Sequence, residues 1–342
     1  MWRWGLIVVV LAGCIDPIDL DVGGAERRVV VEGTLVSGPG PHYVILSRAA
    51  TFTQGIDALR ERIEGAEVRI LDDAGGEFDL VEVSPGRYET PAGSLDGQAG
   101  RSYKLAIQTP DGERFESAYE LMREALPIDS LWAELEPFTG LVNNNPVQRH
   151  RVTWRVNAAA PPGSSHYYRW VWRGVYDAPT ADDRICYHQI VGRDLISIGS
   201  NQRVVGSVLP RQDAGRVVLE APIPPLGSGN FAVMFGFGGM KLEVEQQVLS
   251  PGAYQYWSQV RVLGEDVGSL FDPPPYDVVG NVRSVSDPTV AALGYFTVAG
   301  ASRRELCVRR SDLPGFPLLG QVRVPCGVFG TTPPPSWTAV CG

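Results

Sequence analysis

The sequence predicts a mostly β chain built as two antiparallel β-sandwich domains, the N-terminal one immunoglobulin-like in size, with one short helix in the second. Three observations carry that expectation. Short segments alternating apolar and polar residues recur along most of the chain. They are separated by turns rich in Gly, Pro and Asp, such as Asp72-Asp73-Ala74-Gly75-Gly76 and Pro110-Asp111-Gly112. A convincing helical spacing of apolar residues occurs only after Ser250. At 342 residues the chain has room for two domains, and 44% apolar with 20% charged residues is the composition of a globular protein.

Taken in order, the chain opens with an export signal. Arg3 supplies a positive charge, Trp4 to Leu11 an apolar stretch too short to span a bilayer, and small residues precede a cysteine in Leu11-Ala12-Gly13-Cys14. That order marks residues 1–13 as a lipoprotein signal peptide and Cys14 as the mature N-terminus, with lipid on its sulfur. Each buried acyl CH2 contributes about 0.8 kcal/mol, so several chains anchor a protein to a membrane without spanning it. Residues 14–24, with Asp16, Asp19 and Asp21, read as an acidic tether.

Residues 25–122 follow as the first sandwich. Arg28 to Val36 is a β-branched run, and Pro39-Gly40-Pro41 turns the chain into His42 to Ser47. Val68 and Ile70 alternate with Glu67 and Arg69, the Asp72 turn leads to Phe78 to Val83, and Pro85-Gly86 turns toward Tyr88. Tyr103, Leu105 and Ile107 alternate with Lys104 and Gln108, and a hairpin returns through Arg114 to Ala118.

A linker at Pro127 to Asp129 leads to the larger sandwich, residues 128–300. Val152, Trp154 and Val156 alternate with arginines and a threonine, and Tyr168, Trp170 and Trp172 alternate with Arg169, Val171 and Arg173. Gly215 to Ala221, Phe231 to Phe237 and Lys241 to Leu249 continue the strands, the last with Leu242, Val244 and Val248 on one face and Glu243, Glu245 and Gln247 on the other. Ser250 is a good N-cap, Pro251 suits the first helical position, and the spacing of Ala253, Trp257 and Val260 predicts a helix over 251–263 ended by Gly264. Gly268 to Pro275 reads as an extended, stiff crossing. Residues 301–342 form a cysteine- and proline-rich tail packed on the second domain.

Four cysteines besides Cys14, namely Cys186, Cys307, Cys326 and Cys341, predict disulfides in an exported chain, with three connectivities open. No C-x-x-C or Cys/His cluster has metal-ligand spacing, so neither metal nor cofactor is expected. The histidines His42, His150, His166 and His188 are scattered, there is no G-x-S-x-G elbow, and Ser164-Ser165-His166 reads as a turn. Asp72-Asp73 and Asp182-Asp183 lack the calcium-loop pattern, and Gly236-Phe237-Gly238-Gly239 has no following helix to cradle phosphate. A formal charge of -9 argues against nucleic acid as a partner.

An ordered series of motifs resembles a known family. Gly65-Ala66-Glu67-Val68, Ile128-Asp129-Ser130-Leu131, Tyr167-Tyr168-Arg169-Trp170, Val244-Glu245-Gln246, Ser250 to Trp257, Gly268 to Pro275, Gly280-Asn281-Val282 and Leu293-Gly294-Tyr295-Phe296 are similar to the bacterial lipoprotein family called domain of unknown function 4249. The resemblance runs from Cys14 to about Ala299 and leaves out the proline-rich tail. It implies an outer-membrane lipoprotein of Bacteroidota-type bacteria, with a TonB-dependent receptor as partner. It carries no activity and no catalytic residues.

Two surfaces stand out as candidate sites. Tyr167, Arg169 and Arg173 share one face of a strand and suit a glycan or carboxylate ligand. Tyr254, Trp257 and Phe271 suit the docking of a partner. The expectation is a non-enzymatic binding or accessory lipoprotein, surface-exposed or facing the periplasm. The competing readings are an envelope hydrolase acting on glycan or peptide, which needs an acidic or Ser/His pair converging between the domains, and a structural or adhesive lipoprotein.

Overall fold

The computed structural model describes residues 28–49, 60–142, 145–179, 184–192, 196–204, 206–219, 239–265, 278–315, 331–334 and 341. The signal peptide, Cys14, the tether, the 231–237 strand, Asp182-Asp183, Phe271 with its prolines, and Cys326 lie outside the described residues.

The chain is mostly β, as expected. Its first strands are β1 (Val29–Val36), β2 (Tyr43–Ala49), β3 (Arg60–Arg62), β4 (Glu67–Asp72), β5 (Glu77–Asp79), β6 (Val81–Ser84), β7 (Arg87–Glu89), β8 (Ser102–Gln108), β9 (Arg114–Ser117) and β10 (Glu120–Leu121). Alternation dictates their faces, since Tyr103, Leu105 and Ile107 of β8 are buried while their neighbours are not. The β4–β5 turn closes because Asp72 Oδ1 accepts hydrogen bonds from the amides of Ala74 (2.9 Å) and Gly76 (2.7 Å), and Gly75 supplies a φ of +87°.

Then come β11 (Ile128–Val142), β12 (Asn145–Ala159), β13 (Tyr167–Pro179), β14 (Ile185–Val191), β15 (Ser197–Ser200), β16 (Val208–Leu219) and β17 (Gly239–Leu249). The expected linker at 127–129 already belongs in part to β11. After α1 (Pro251–Glu265), the strands β18 (Val279–Ser284) and β19 (Ala291–Arg309) finish the fold. Ser250 Oγ accepts the Ala253 amide at 3.1 Å, the predicted N-cap. The helix runs through Gly264, two residues beyond the expected end, because glycine weakens a last turn without forbidding it.

One continuous pairing path runs β5-β4-β8-β9-β18-β19-β1-β2-β7-β6. It curls so that its inner side chains, Leu35, Leu46, Ile70, Tyr88, Leu105 and Phe296 among them, make a single core. Residues 25–122 therefore do not complete that core alone, because β18 and the first half of β19 lie in its sheet. β19 changes partners midway. From Leu293 to Ala299 it runs parallel to β1, and from Gly300 to Arg309 it runs antiparallel to β17. The chain leaving β10 crosses at the switch, where a Cβ on Gly300 would lie 2.2 Å from the Arg123 carbonyl oxygen.

β17 pairs with β13, which carries β14 and β15. A three-stranded sheet, β11-β12-β16, packs over them, and Trp154 meets Trp172 edge to face at 5.6 Å between ring centres. Gln246 is wholly buried. Its Oε1 accepts from Trp170 Nε1 (2.9 Å), and its Nε2 donates to the carbonyls of Leu126 (2.8 Å) and Pro127 (3.3 Å). The opposite side of β17 is less wet than its polarity suggests: Gln247 and Lys241 are buried, because other elements cover that face.

Cys307 is bonded to Cys341, and Cys186 is also disulfide-bonded, its partner lying outside the described residues. The bridge ties the end of the chain to β19. No helix among the described residues is long and apolar enough to cross a membrane.

Candidate functional site

Strand alternation builds a cleft between β1 and β2 on one side and β13 on the other, strands of one large sheet joined through β17 and β19. On the outer side of the first sheet, register places Glu32 of β1 between Ile45 of β2 and Tyr295 of β19, with Val30 beside Ser47 in the next row and Arg62 opposite Ser47. On β13, Arg169 points away from the core that holds Tyr168 and Trp170, and stands opposite Gln247 of β17. Helix α1 closes one end. The enclosed space is about 590 Å3, within the range of small-molecule sites.

Arg169 is half-buried, and its guanidinium carbon lies 3.6 Å from the centre of the Trp257 ring. Trp257 is held in turn by Nε1–H donation to Thr297 Oγ1 at 3.3 Å. Among the described residues no carboxylate or carbonyl pairs with Arg169. Gln247, opposite it across the strands, donates Nε2–H to Glu245 (2.8 Å) and keeps its buried Oε1 without a partner. Burial lowers the pKa of Arg169 below the usual guanidinium range, and the neighbouring Tyr43, Glu32 and Glu245 oppose that shift. Burial also raises the Tyr256 hydroxyl, Glu32 pushing in the same direction and Arg169 against it. Arg169, Tyr256 and Glu32 thus share one electrostatic neighbourhood. Glu32 itself is exposed and, like Arg62 at the cleft lining, makes no hydrogen bond or ion pair among the described residues.

The aromatic wall is ordered from below. Tyr256 packs on Tyr295 at 4.9 Å, and the Tyr295 hydroxyl donates to Glu120 Oε1 at 2.5 Å. Burial and that carboxylate hold the phenol well above its ordinary pKa, so it stays a donor. Asn281 anchors the same strand, accepting the Phe296 amide and donating to the Phe296 carbonyl, both at 2.9 Å.

The five described candidate residues do not form two separate surfaces, and Phe271 lies outside the described residues. Tyr167 stacks on Tyr254 at 4.8 Å and Arg169 on Trp257, so four of them make one packed junction between β13 and α1. Tyr254 and Trp257 face inward, where the apolar stripe of the helix covers the sheet. Arg173 lies two rows away, ion-paired with Glu243 at 2.6 Å in a separate depression beside Lys241 and Glu305. The sequence reading missed Glu32 and Tyr295. A lone carboxylate at an outward position inside the run Val29 to Leu35 was the available signal for the first.

Catalytic constellations are sparse among the described residues. Among the described residues Glu32 is the one carboxylate lining the cleft, and no histidine lines it. Ser164 Oγ and His166 Nε2 are 2.9 Å apart, in an exposed turn held by Asn201. No group of three His, Cys, Asp or Glu side chains among the described residues has metal-ligating geometry.

Compared with known proteins, the chain matches one family model, described as Domain of unknown function (DUF4249), over residues 15–305. No curated protein matches it.

Proposed function

The chain belongs to the DUF4249 family, a family described by no activity, and on that premise we propose that it is a lipid-anchored, non-enzymatic binding protein of the bacterial outer envelope. In this reading Cys14 carries the lipid, the acidic tether holds the body off the membrane, and the body serves a TonB-dependent uptake receptor as an accessory. The Leu11-Ala12-Gly13-Cys14 signal supports the anchor. The fold reads as two mostly antiparallel sandwiches that share β19, which pairs in parallel with β1, the first sandwich immunoglobulin-like in size.

The observation that carries the binding role is the cleft. An arginine stacked on tryptophan, unpaired and half-buried, is held ready in one plane for a ligand carboxylate, because stacking occupies its face and leaves its N–H edges free. Leaving such a group without a partner costs free energy that a bound anion returns.

The test is thermal shift of the full chain, purified in detergent, against uronic acids, acidic oligosaccharides and short peptides. At least one class raises the wild-type melting temperature and leaves Arg169→Met unchanged. If no carboxylate-bearing class shifts the wild type, the reading fails. Protease shaving of intact cells, with Cys14→Ala and a periplasmic marker as controls, tests the envelope placement, and protection of the body until the outer membrane is opened overturns surface display.

A further inference from the structure

The cleft carries two kinds of unsatisfied charge. Arg169 and Arg62 line it as cations, Glu32 as an anion, and none of the three forms an ion pair among the described residues. Tyr256 lines the same cleft, and its hydroxyl feels both Glu32 and Arg169. A ligand with negative charge alone would satisfy Arg169 and be repelled by Glu32, and a cation would meet the reverse. A neutral sugar would leave both unanswered. A molecule with one negative and one positive end satisfies both.

Resting on the binding reading above, we propose that the cleft recognises a short peptide with free termini, its α-carboxylate on Arg169 and its α-ammonium on Glu32. Guanidinium and carboxylate match as a bidentate fork, and the Trp257 ring fixes the plane of that fork beforehand. The walls between the charges are aromatic, Tyr256, Trp257 and Tyr295, so an apolar side chain on the peptide is favoured. About 590 Å3 gives room for a di- or tripeptide.

The experiment is isothermal titration of the full chain with alanyl-phenylalanine, its N-acetylated form, its C-terminal amide, and glucuronate as an anion without an ammonium group. The free dipeptide binds, and each cap weakens binding tenfold or more. Glu32→Gln weakens the free dipeptide and makes it equal to the N-acetylated form. Glu32 is exposed, so this variant keeps the fold, and near-ultraviolet circular dichroism checks that it does. In Arg169→Met, amidation no longer matters. If the capped peptides bind as well as the free one, the zwitterion assignment is wrong. If glucuronate binds as tightly as the dipeptide and more tightly still to Glu32→Gln, the cleft is an anion site: the binding reading survives and the peptide assignment falls. If nothing binds, both fall.

Discussion

Replacing Gln246 tests how the two sheets are joined. The amide is fully buried and reads two elements at once: the Trp170 indole on one side and the chain between β10 and β11 on the other. In Gln246→Leu the Leu126 carbonyl keeps the Ser302 hydroxyl (2.7 Å) and the Pro127 carbonyl keeps the Ala159 amide (3.1 Å), so only the Trp170 N–H is orphaned. An orphaned buried donor costs about 1–3 kcal/mol, and the lost carbonyl bonds add about 1, partly offset by leucine's apolar burial. The expected loss is about 2–3 kcal/mol. Gln246→Glu behaves differently. Its carboxylate still accepts from Trp170 but faces two carbonyl oxygens, so burial raises the folded-state pKa of the introduced acid above its unfolded value of about 4.3. A raised folded pKa means stability is retained below the unfolded pKa and lost as pH rises through the folded one, at up to about 1.36 kcal/mol per pH unit. Urea unfolding followed by tryptophan fluorescence at pH 5 and pH 8 reads both variants. The glutamate variant is the more stable of the two at pH 5 and the less stable at pH 8. If the order does not invert, the hydrogen-bond assignment at Gln246 is wrong.

Three further outcomes follow from the geometry. Removing the Cys307–Cys341 bridge as a double serine variant frees a loop of 34 residues, worth about 12.6 cal/mol/K or about 3.8 kcal/mol at 25 °C in the chain-entropy account, readable as a lower urea midpoint with the other bridge intact. Burial lowers the pKa of His42, which bonds the Leu95 carbonyl through Nε2 (3.2 Å) and leaves Nδ1 buried without a partner. A depressed folded pKa gives stability that is present above the unfolded value of about 6.5 and lost as pH falls below it, so the stability of His42→Gln varies less between pH 7.5 and 5 than that of the wild type, by as much as about 1.36 kcal/mol per unit. Ser250→Ala removes the cap of α1 and costs about 1 kcal/mol, seen as a lower melting temperature.

Local order was legible in the sequence. The alternation in β8 and β13, the Asp72 turn and the Ser250 cap each follow from residues within one element, where backbone geometry and side-chain period decide the outcome. Which sheet covers which face was not legible. Gln247 shares a polar face with Glu243 and Glu245, and no local pattern tells that another element buries it. Tyr254 and Trp257 suit either a partner or the chain's own sheet, since an amphipathic helix does not name the surface it packs on. Arg169 and Glu32 come together only through the long-range pairing of β1 with β19, which no local pattern encodes.

That pairing also dictates an order of events for a newly made chain. Arg28 bonds the carbonyl of Ala291 across 263 residues, and β1 gains its parallel neighbour only when the last long strand has been delivered. Closing so wide a loop is slow, and until then β1 and β9 each present an open edge. The first core therefore stays unfinished until the β19 residues that pair with β1 have been made. Over that interval the two open edges are the places where wrong pairing with another chain starts.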